Sequence, residues 1–392
     1  MQFDFWWFLL ALPLFFGMGW VAARIDIRQL LSESSELPRT YFRGLNFLLN
    51  DQQDQAIESF SEVVRVSPET AELHFALGYL YRKRGEVERA IRLHEDLVRR
   101  PDIPDDLRTN ARYELALDFL KAGFLDRAEA QFLELAGTPY EQRALKLLLE
   151  IYQQERDWAK AIDTSRKMDG ITGRSSAKDI ANFYCELAQA EITHSRPDIA
   201  EQHLREALAV NGKCTRANIL LGELAAQGGN LEQALDYWKR VEHQDPRYLA
   251  LLADRLRDTY EQIGRRDEGV QLLKGYLSSS PSLDLLDVVF HATLERDGSE
   301  AAYRLVRNEL RRNPSLLGLD KLLEAALIEV PHEQRRDIEL VRKLVGHHSR
   351  NLAMYQCDHC GFRLRQFTWR CPACGAWESY SPLRSEERMS AA

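Results

Sequence analysis

Cysteine is scarce in this chain, and basic charge is not in excess. Only 6 of the 392 residues are cysteine, which excludes a small secreted fold held together by many disulfides. The net charge of −8 excludes a general nucleic-acid coat, because such proteins need an excess of Lys and Arg.

Recognisable enzyme motifs are also missing. The sequence has no Walker A loop and no Gly-x-Gly-x-x-Gly fingerprint. His332 and Glu333 begin like a zinc-protease helix, but Arg336 stands where the second histidine is required. These absences predict a protein that is not an enzyme, with no catalytic residues to assign.

The longest apolar run lies at the N-terminus. Asp4 is the only charge among the first 23 residues, and 19 apolar residues run from Phe5 to Ala23. As a helix this run measures ~28 Å, close to the ~30 Å hydrocarbon core of a bilayer. A cleaved signal peptide would need a positive N-terminal region, which is missing, and a buried core helix is the remaining alternative. The pattern favours a transmembrane signal-anchor helix over residues 1–23.

Positive charge follows this run and does not precede it. Arg24, Arg28, Arg39 and Arg43 come after the apolar segment. The positive-inside rule then places the bulk of the chain in the cytoplasm. We therefore expect a single-pass membrane protein.

A frame of small and bulky residues recurs through the middle of the chain. Alanines anchor it at intervals of 33 to 39 residues; in several units a Gly or Ala stands 12 residues before the anchor and a bulky residue four after it. The anchors are Ala56, Ala90, Ala128, Ala161, Ala200 and Ala234, continued less clearly by Gly269 and Ala302. The frame resembles the 34-residue tetratricopeptide repeat, a helix-turn-helix unit. It predicts an all-α superhelical solenoid over residues 24–345, with about eight to nine helical hairpins.

Solenoids of this kind bind proteins, which makes protein partners the expected ligands of residues 24–345. Isolated histidines at helical spacing are interpreted as surface or packing residues: His74, His94, His194 and His203. Cys185 and Cys214 stand alone and are predicted to be small buried hydrophobic residues.

The other four cysteines form two Cys-x-x-Cys-Gly knuckles, with the cysteines at Cys357, Cys360, Cys371 and Cys374. In each knuckle a tight turn points backbone N–H groups at the thiolates, and the following glycine permits the unusual backbone angles. Four thiolates give a closed tetrahedral site, which is typical of structural rather than catalytic metal. The alternative is a pair of disulfides, but the spacing and the expected cytoplasmic location favour a metal.

The identity of the metal follows from the second knuckle and the loop before it. Four sulfur ligands suit zinc or iron. Cys371-Pro-Ala-Cys374-Gly matches the rubredoxin pattern, whereas the loop between the knuckles is much shorter than in rubredoxins. Zinc is therefore the expected cofactor, with iron as the alternative. The ribbon is assigned to residues 346–384, and residues 385–392 are expected to be a flexible tail.

Aromatic and basic residues are dense around the knuckles. We expect some of the aromatics to form a small core and the rest to dock the ribbon on the solenoid or on a partner: Tyr355, Phe362, Phe367, Trp369, Trp377 and Tyr380. Arg363, Arg365 and Arg370 raise the alternative of nucleic-acid binding, but three arginines are a thin footprint, and no nucleic acid is expected.

The combination of an N-terminal anchor, a tetratricopeptide array and a rubredoxin-like ribbon resembles the lipopolysaccharide assembly protein B family (LapB, YciM) of Gram-negative bacteria. The resemblance covers the whole chain, and its most specific part is Cys357-Asp-His-Cys360 with Cys371-Pro-Ala-Cys374. In that family the four cysteines are the metal ligands.

The resemblance implies an inner-membrane adaptor that brings the LpxC deacetylase to the FtsH protease and so limits lipopolysaccharide synthesis. Other lipopolysaccharide assembly proteins and a second copy of the chain are further implied partners. Two alternatives stay open, namely a scaffold for biosynthesis and transport proteins and a redox or nucleic-acid-binding module. No motif marks the residues that bind partners.

Overall fold

The computed structural model describes residues 16–18, 20, 39–66, 71–350 and 352–390. The predicted membrane helix, residues 1–23, therefore lies mostly outside the described residues; within it, residues 16–18 and 20 are helical. Among the described residues, no helix combines the length and the apolar character that crossing a membrane requires.

The chain divides into two compact units, Met1–Ile151 and Tyr152–Ala392. The first unit contains three helical pairs and most of a seventh helix: α1 Arg39–Leu49, α2 Gln53–Val66, α3 Ala71–Arg84, α4 Val87–Arg99, α5 Asp105–Ala122, α6 Leu125–Leu133 and α7 Glu141–Glu155.

The second unit continues the helical pattern and adds the ribbon. Its repeat helices are α8 Trp158–Thr172, α9 Ala177–Thr193, α10 Pro197–Val210, α11 Thr215–Gln227, α12 Leu231–Gln244, α13 Ala253–Gln262, α14 Arg266–Ser279, α15 Leu283–Asp297, α16 Ser299–Arg312, α17 Leu316–Glu329 and α18 His332–Ser349. A 3₁₀ helix, Pro246–Leu252, precedes α13. Eighteen α-helices thus precede the ribbon in the described part of the chain, the number that nine helix-turn-helix units require.

The repeat anchors predicted from the sequence lie in the core of each unit. The anchor alanines have no exposed surface at all: Ala56, Ala90, Ala128, Ala161, Ala200, Ala234 and Ala302. Gly269 takes the eighth anchor position because a Cβ there would lie 2.6 Å from Tyr260 Cβ. The spacing of small residues therefore marks the points of closest helix approach.

The small residue at the start of the frame packs against the bulky residue sixteen positions later. A Cβ added to Gly44 would meet the Phe60 ring at 2.7 Å, and one added to Gly78 would meet the His94 ring at 2.5 Å. The same contact joins Gly222 to Trp238, whose indole N–H donates to the carbonyl of Ile219 at 3.2 Å. The first helix of a unit must therefore lack a side chain where the second inserts its largest one.

His94 belongs to a buried polar network in the first unit. Its Nδ1 lies 2.5 Å from Asp118 Oδ2, and both side chains are fully buried. Arg82 donates to the other Asp118 oxygen at 2.7 Å and also pairs with Glu114. Because the His94 ring abuts Gly78, the histidine has a packing role, as the sequence interpretation expected.

The expectation of a flexible C-terminal tail was wrong for the residues that the structure describes. Ser385–Ser390 forms a short helix, α19. Glu387 accepts a hydrogen bond from the backbone N–H of Leu283, and Glu386 accepts from those of Leu316 and Leu317. These groups are the first N–H donors of α15 and α17, which have no partner within their own helices. The tail is ordered because its carboxylates cap two helices of the repeat array.

A second set of tail contacts holds the ribbon. Arg384 forms a bidentate ion pair with Asp284, with 2.8 Å between Nη2 and Oδ1, and lies 4.2 Å from the centre of the Tyr355 ring. Arg388 pairs with Asp358, and its guanidinium donates to the carbonyl of Gln356. The tail therefore contacts the repeat helices and the ribbon together.

Replacing Gly222 by Ala should lower the free energy of unfolding by about 1–3 kcal/mol, because the new Cβ overlaps the Trp238 indole. Gly275 is the matched control: it also lies inside a helix, but a Cβ there meets nothing within 4 Å. Gly275→Ala should stabilise the protein by about 0.5–1 kcal/mol through helix propensity. Chemical unfolding midpoints measure both changes, and equal stability of the two variants would contradict the packing argument.

Glu387 gives the tail a pH dependence. Burial raises the pKa of this carboxyl to about 7, although the N–H groups of Arg384 and Leu283 lower it. A raised pKa means that the folded state holds the proton more tightly than the unfolded chain. The stabilising contribution is complete below about pH 4.5 and is lost as the pH rises through 7. Glu387→Gln should flatten the unfolding midpoint measured between pH 5 and 8, and parallel curves for the two proteins would refute this.

Candidate metal centre and its docking surface

The ribbon is built on two short strands and two isolated bridges. Strands β1 Tyr355–Gln356 and β2 Arg363–Leu364 pair antiparallel, with Tyr355 opposite Leu364. Bridges join Cys357 to Tyr380 and Arg370 to Trp377. The two knuckles follow from this pairing, because each lies at a bend between paired segments.

Both knuckles have the same backbone geometry. The N–H of Cys357 donates to the carbonyl of Phe362 and the N–H of Cys371 to that of Ala376, both at 2.9 Å. Gly361 and Gly375 have φ angles of 77° and 73°, the left-handed region that the turns require and that glycine adopts without strain. The glycine after each knuckle therefore has the role predicted from the sequence.

The structure brings all four predicted ligands together. The sulfur atoms of Cys357, Cys360, Cys371 and Cys374 all lie within 4.8 Å of one another. Cys357 and Cys371 are buried, whereas Cys360 and Cys374 are exposed. Within the described residues this is the one group of three or more His, Cys, Asp or Glu side chains placed to hold a metal ion.

Hydrogen bonds favour the thiolate form at the buried positions. Burial alone would raise the pKa of Cys371, but the N–H groups of Cys374 and Ala373 and the Tyr380 hydroxyl lower it to about 6. The pKa of Cys357 is lowered in the same way: the Ser379 hydroxyl and the N–H groups of Cys360 and His359 outweigh burial.

The exposed cysteines respond in the opposite direction. At Cys360 the N–H of Phe362 favours the thiolate, but burial and hydrogen bonding with the other three cysteines raise the pKa to about 12. Four sulfurs this close cannot all carry charge without a cation between them. The donor set, four thiols supported by backbone N–H groups, therefore fits a tetrahedral metal ion.

The ribbon packs on the repeat helices of its own unit through the indole of Trp377. Its ring meets those of Trp158 and Phe183 edge to face, with 5.9 Å between ring centres in both pairs. The Arg216 guanidinium lies 5.7 Å from the same indole, and that of Arg370 lies 5.6 Å away. Trp377 is 7% exposed, so the ribbon's largest side chain is buried mainly by the array.

A second aromatic contact lies beside the first. Trp369 stacks on Tyr248 with a 7° angle between the rings and 5.2 Å between their centres. Phe367 meets Tyr248 edge to face at 6.1 Å. Two further ribbon aromatics, Tyr355 and Tyr380, are buried with the knuckle cysteines. The predicted division of the aromatics between a small core and a docking surface is thus present, and Phe362 stays largely exposed.

A carboxylate completes the docking surface. Glu378 Oε1 accepts a hydrogen bond from the Asn182 side chain at 2.9 Å, and Oε2 lies 3.5 Å from Lys178 Nζ. Glu378 adopts a φ of 45°, unusual for a residue with a side chain. The sequence analysis missed Glu378, Asn182 and Arg216, because nothing in a local pattern connects residues almost 200 positions apart.

Other sequence interpretations can be placed on this structure. Arg370 donates to the backbone carbonyl of Gln153 and stacks on Trp377, so one of the three arginines considered for nucleic acid faces the array. Arg363 and Arg365 are exposed. Cys185 and Cys214 are fully buried, as predicted, with their sulfur atoms 3.9 Å apart.

Comparisons with known proteins agree with both parts of the fold. The family described as "Rubredoxin metal binding domain" matches residues 355–382, and "Tetratricopeptide repeat" matches residues 44–105 and 185–248. Lipopolysaccharide assembly protein B of Escherichia coli K12 is 32% identical over 378 residues, covering 96% of this chain and 97% of the relative. The chain belongs to the lipopolysaccharide assembly protein B family.

A second member of the lipopolysaccharide assembly protein B family, from Haemophilus influenzae, is 30% identical and covers 96% of this chain and 98% of the relative. Among solved structures, one of Naa15/Naa10 bound to HypK-THB covers 80% of this chain and 47% of that chain, at 15% identity and a TM-score of 0.43. The family assignment rests on the two bacterial relatives. The family matches make the chain a tetratricopeptide-repeat solenoid with a rubredoxin-like ribbon.

Replacing Cys371 and Cys374 by Ser should reduce bound metal from about one ion per chain to none and unfold the ribbon, since a unit this small depends on its metal for folding. Far-UV circular dichroism should change little because the helices lie outside the ribbon. Tryptophan fluorescence should shift as Trp369 and Trp377 become exposed to water.

Cys185→Ala is the matched control, because Cys185 is buried in the repeat helices away from the four-sulfur group. It should keep the metal and the fluorescence of the original chain. A double serine variant with unchanged fluorescence would show that the ribbon folds without its metal.

Proposed function

We propose that the protein is a membrane-anchored adaptor that promotes degradation of the LpxC deacetylase by the FtsH protease and so limits lipopolysaccharide synthesis. The observation that carries the proposal is the full-length similarity to lipopolysaccharide assembly protein B, over 96% of this chain. A repeat array without an enzyme motif suits a protein that acts by binding other proteins.

The anchor is part of the proposal. The apolar run from Phe5 to Ala23 is long enough to span a bilayer, and the arginines that follow it favour a cytoplasmic repeat array. We place the protein in the bacterial inner membrane, single-pass. Confinement to the membrane raises the effective concentration of the repeats near a membrane protease.

Zinc is the proposed metal. Cys357, Cys360, Cys371 and Cys374 offer a complete set of four sulfur ligands and leave no open coordination position for chemistry. The ion would hold the two knuckles together, and the docked aromatics would transmit its effect to the array. Zinc without the visible absorption of an iron–sulfur site would support this role and remove the redox alternative.

Depletion of the protein tests the adaptor function. The half-life of LpxC should lengthen several-fold, because its delivery to FtsH is lost, and immunoblots after translation arrest measure that half-life. An unchanged half-life, together with recovery of lipopolysaccharide biosynthetic or transport proteins in membrane pull-downs, would favour the scaffold alternative.

A variant lacking residues 1–23 tests the anchor separately. It should appear in the soluble fraction and restore LpxC turnover poorly, although its repeats and ribbon are intact. The same truncated chain fused to an unrelated membrane helix is the control and should recover turnover. Full turnover with the soluble variant would contradict the effective-concentration argument.

A further inference from the structure

A cavity lies where the docked ribbon meets the repeat helices α9, α11 and α13. It has a volume of about 360 Å³ and is open to solvent. Its apolar lining comes from both partners: Phe367 and Trp369 of the ribbon, with Ile219, Leu220 and Leu251 of the array. The volume accommodates a large side chain, and the walls are those of a protein-binding pocket rather than of a polar cleft.

Arg216 lines the same cavity and is incompletely paired. It is 6% exposed, and its Nη2 donates to Glu186 at 2.8 Å. Its Nε and Nη1 have no hydrogen-bond partner in the described part of the chain. Buried N–H donors normally have acceptors, so the two aromatic contacts of Arg216 leave part of its hydrogen-bonding capacity unused. An occupant that brings an oxygen acceptor would complete it.

The rim is polar, and its charges are already balanced. Arg255 and Glu223 pair at 2.6 Å on one side, and Gln189 is exposed on the other. Because Glu186 balances Arg216 and Glu223 balances Arg255, the cavity carries no net charge that would select a free anion. Apolar walls with one unused donor set instead favour an uncharged group with an apolar body and an oxygen beside it.

We propose that this cavity binds a peptide segment of the client protein, one that presents a bulky apolar side chain next to a backbone or hydroxyl oxygen. The inference rests on the proposed adaptor function and assigns the client to the junction of ribbon and array. It gives the ribbon a direct part in recognition, because loss of the metal would remove the wall formed by Phe367 and Trp369.

Substitutions at Gln189 test the cavity without disturbing the core. Gln189→Trp places an indole at the mouth and should weaken binding of purified LpxC to the full-length protein in nanodiscs by at least about tenfold. Gln189→Ala leaves the mouth open and should bind within about twofold of the original. Gln202→Trp, on the exposed surface of α10, is the matched control and should also retain binding.

A photo-crosslinking residue at position 189 provides a second measurement that does not depend on tolerance of the tryptophan. It should crosslink to purified LpxC, whereas the same residue at position 202 should not. Binding that survives Gln189→Trp, with no crosslink from position 189, would overturn the cavity assignment and leave the adaptor function in place. Absence of any binding by the original protein would instead overturn the proposed client, and the cavity assignment with it.

Discussion

The burial of Trp377 against Trp158, Phe183 and Arg216 is the contact on which the architecture of the second unit depends. A ribbon of about 28 residues has too little interior to bury a tryptophan by itself. The metal fixes the knuckles, the knuckles fix the segment from Arg370 to Trp377, and the indole then reaches the array. Metal site and repeat surface are consequently one structure rather than two domains joined by a linker.

Local chemistry made much of this fold predictable. The repeat was visible in the alanine spacing because helices can approach closely only where side chains are small, and those alanines are fully buried. The four metal ligands were visible because two knuckles with a following glycine have few other uses. In both cases the residues that make the contact lie within one turn or one repeat of each other.

The docking surface was not predictable for the opposite reason. Glu378 and Asn182 are 196 residues apart, and Arg216 became notable only when two indoles were found beside it. The tail was misjudged on composition: Ser385-Glu-Glu-Arg looks solvated in isolation, yet its carboxylates meet helix N-termini far back in the chain. Pairings of this kind depend on how repeats stack, which a single sequence does not encode in a local pattern.

The capping of α15 and α17 by Glu386 and Glu387 orders events during synthesis. Leu283 and Leu316 leave the ribosome about 70 to 100 residues before the carboxylates that satisfy them. The last repeats therefore emerge with exposed helix ends and reach their final state only after the chain is released. A stop codon or a fusion partner placed just before residue 386 would leave the knuckles intact and still deprive the array of its final caps.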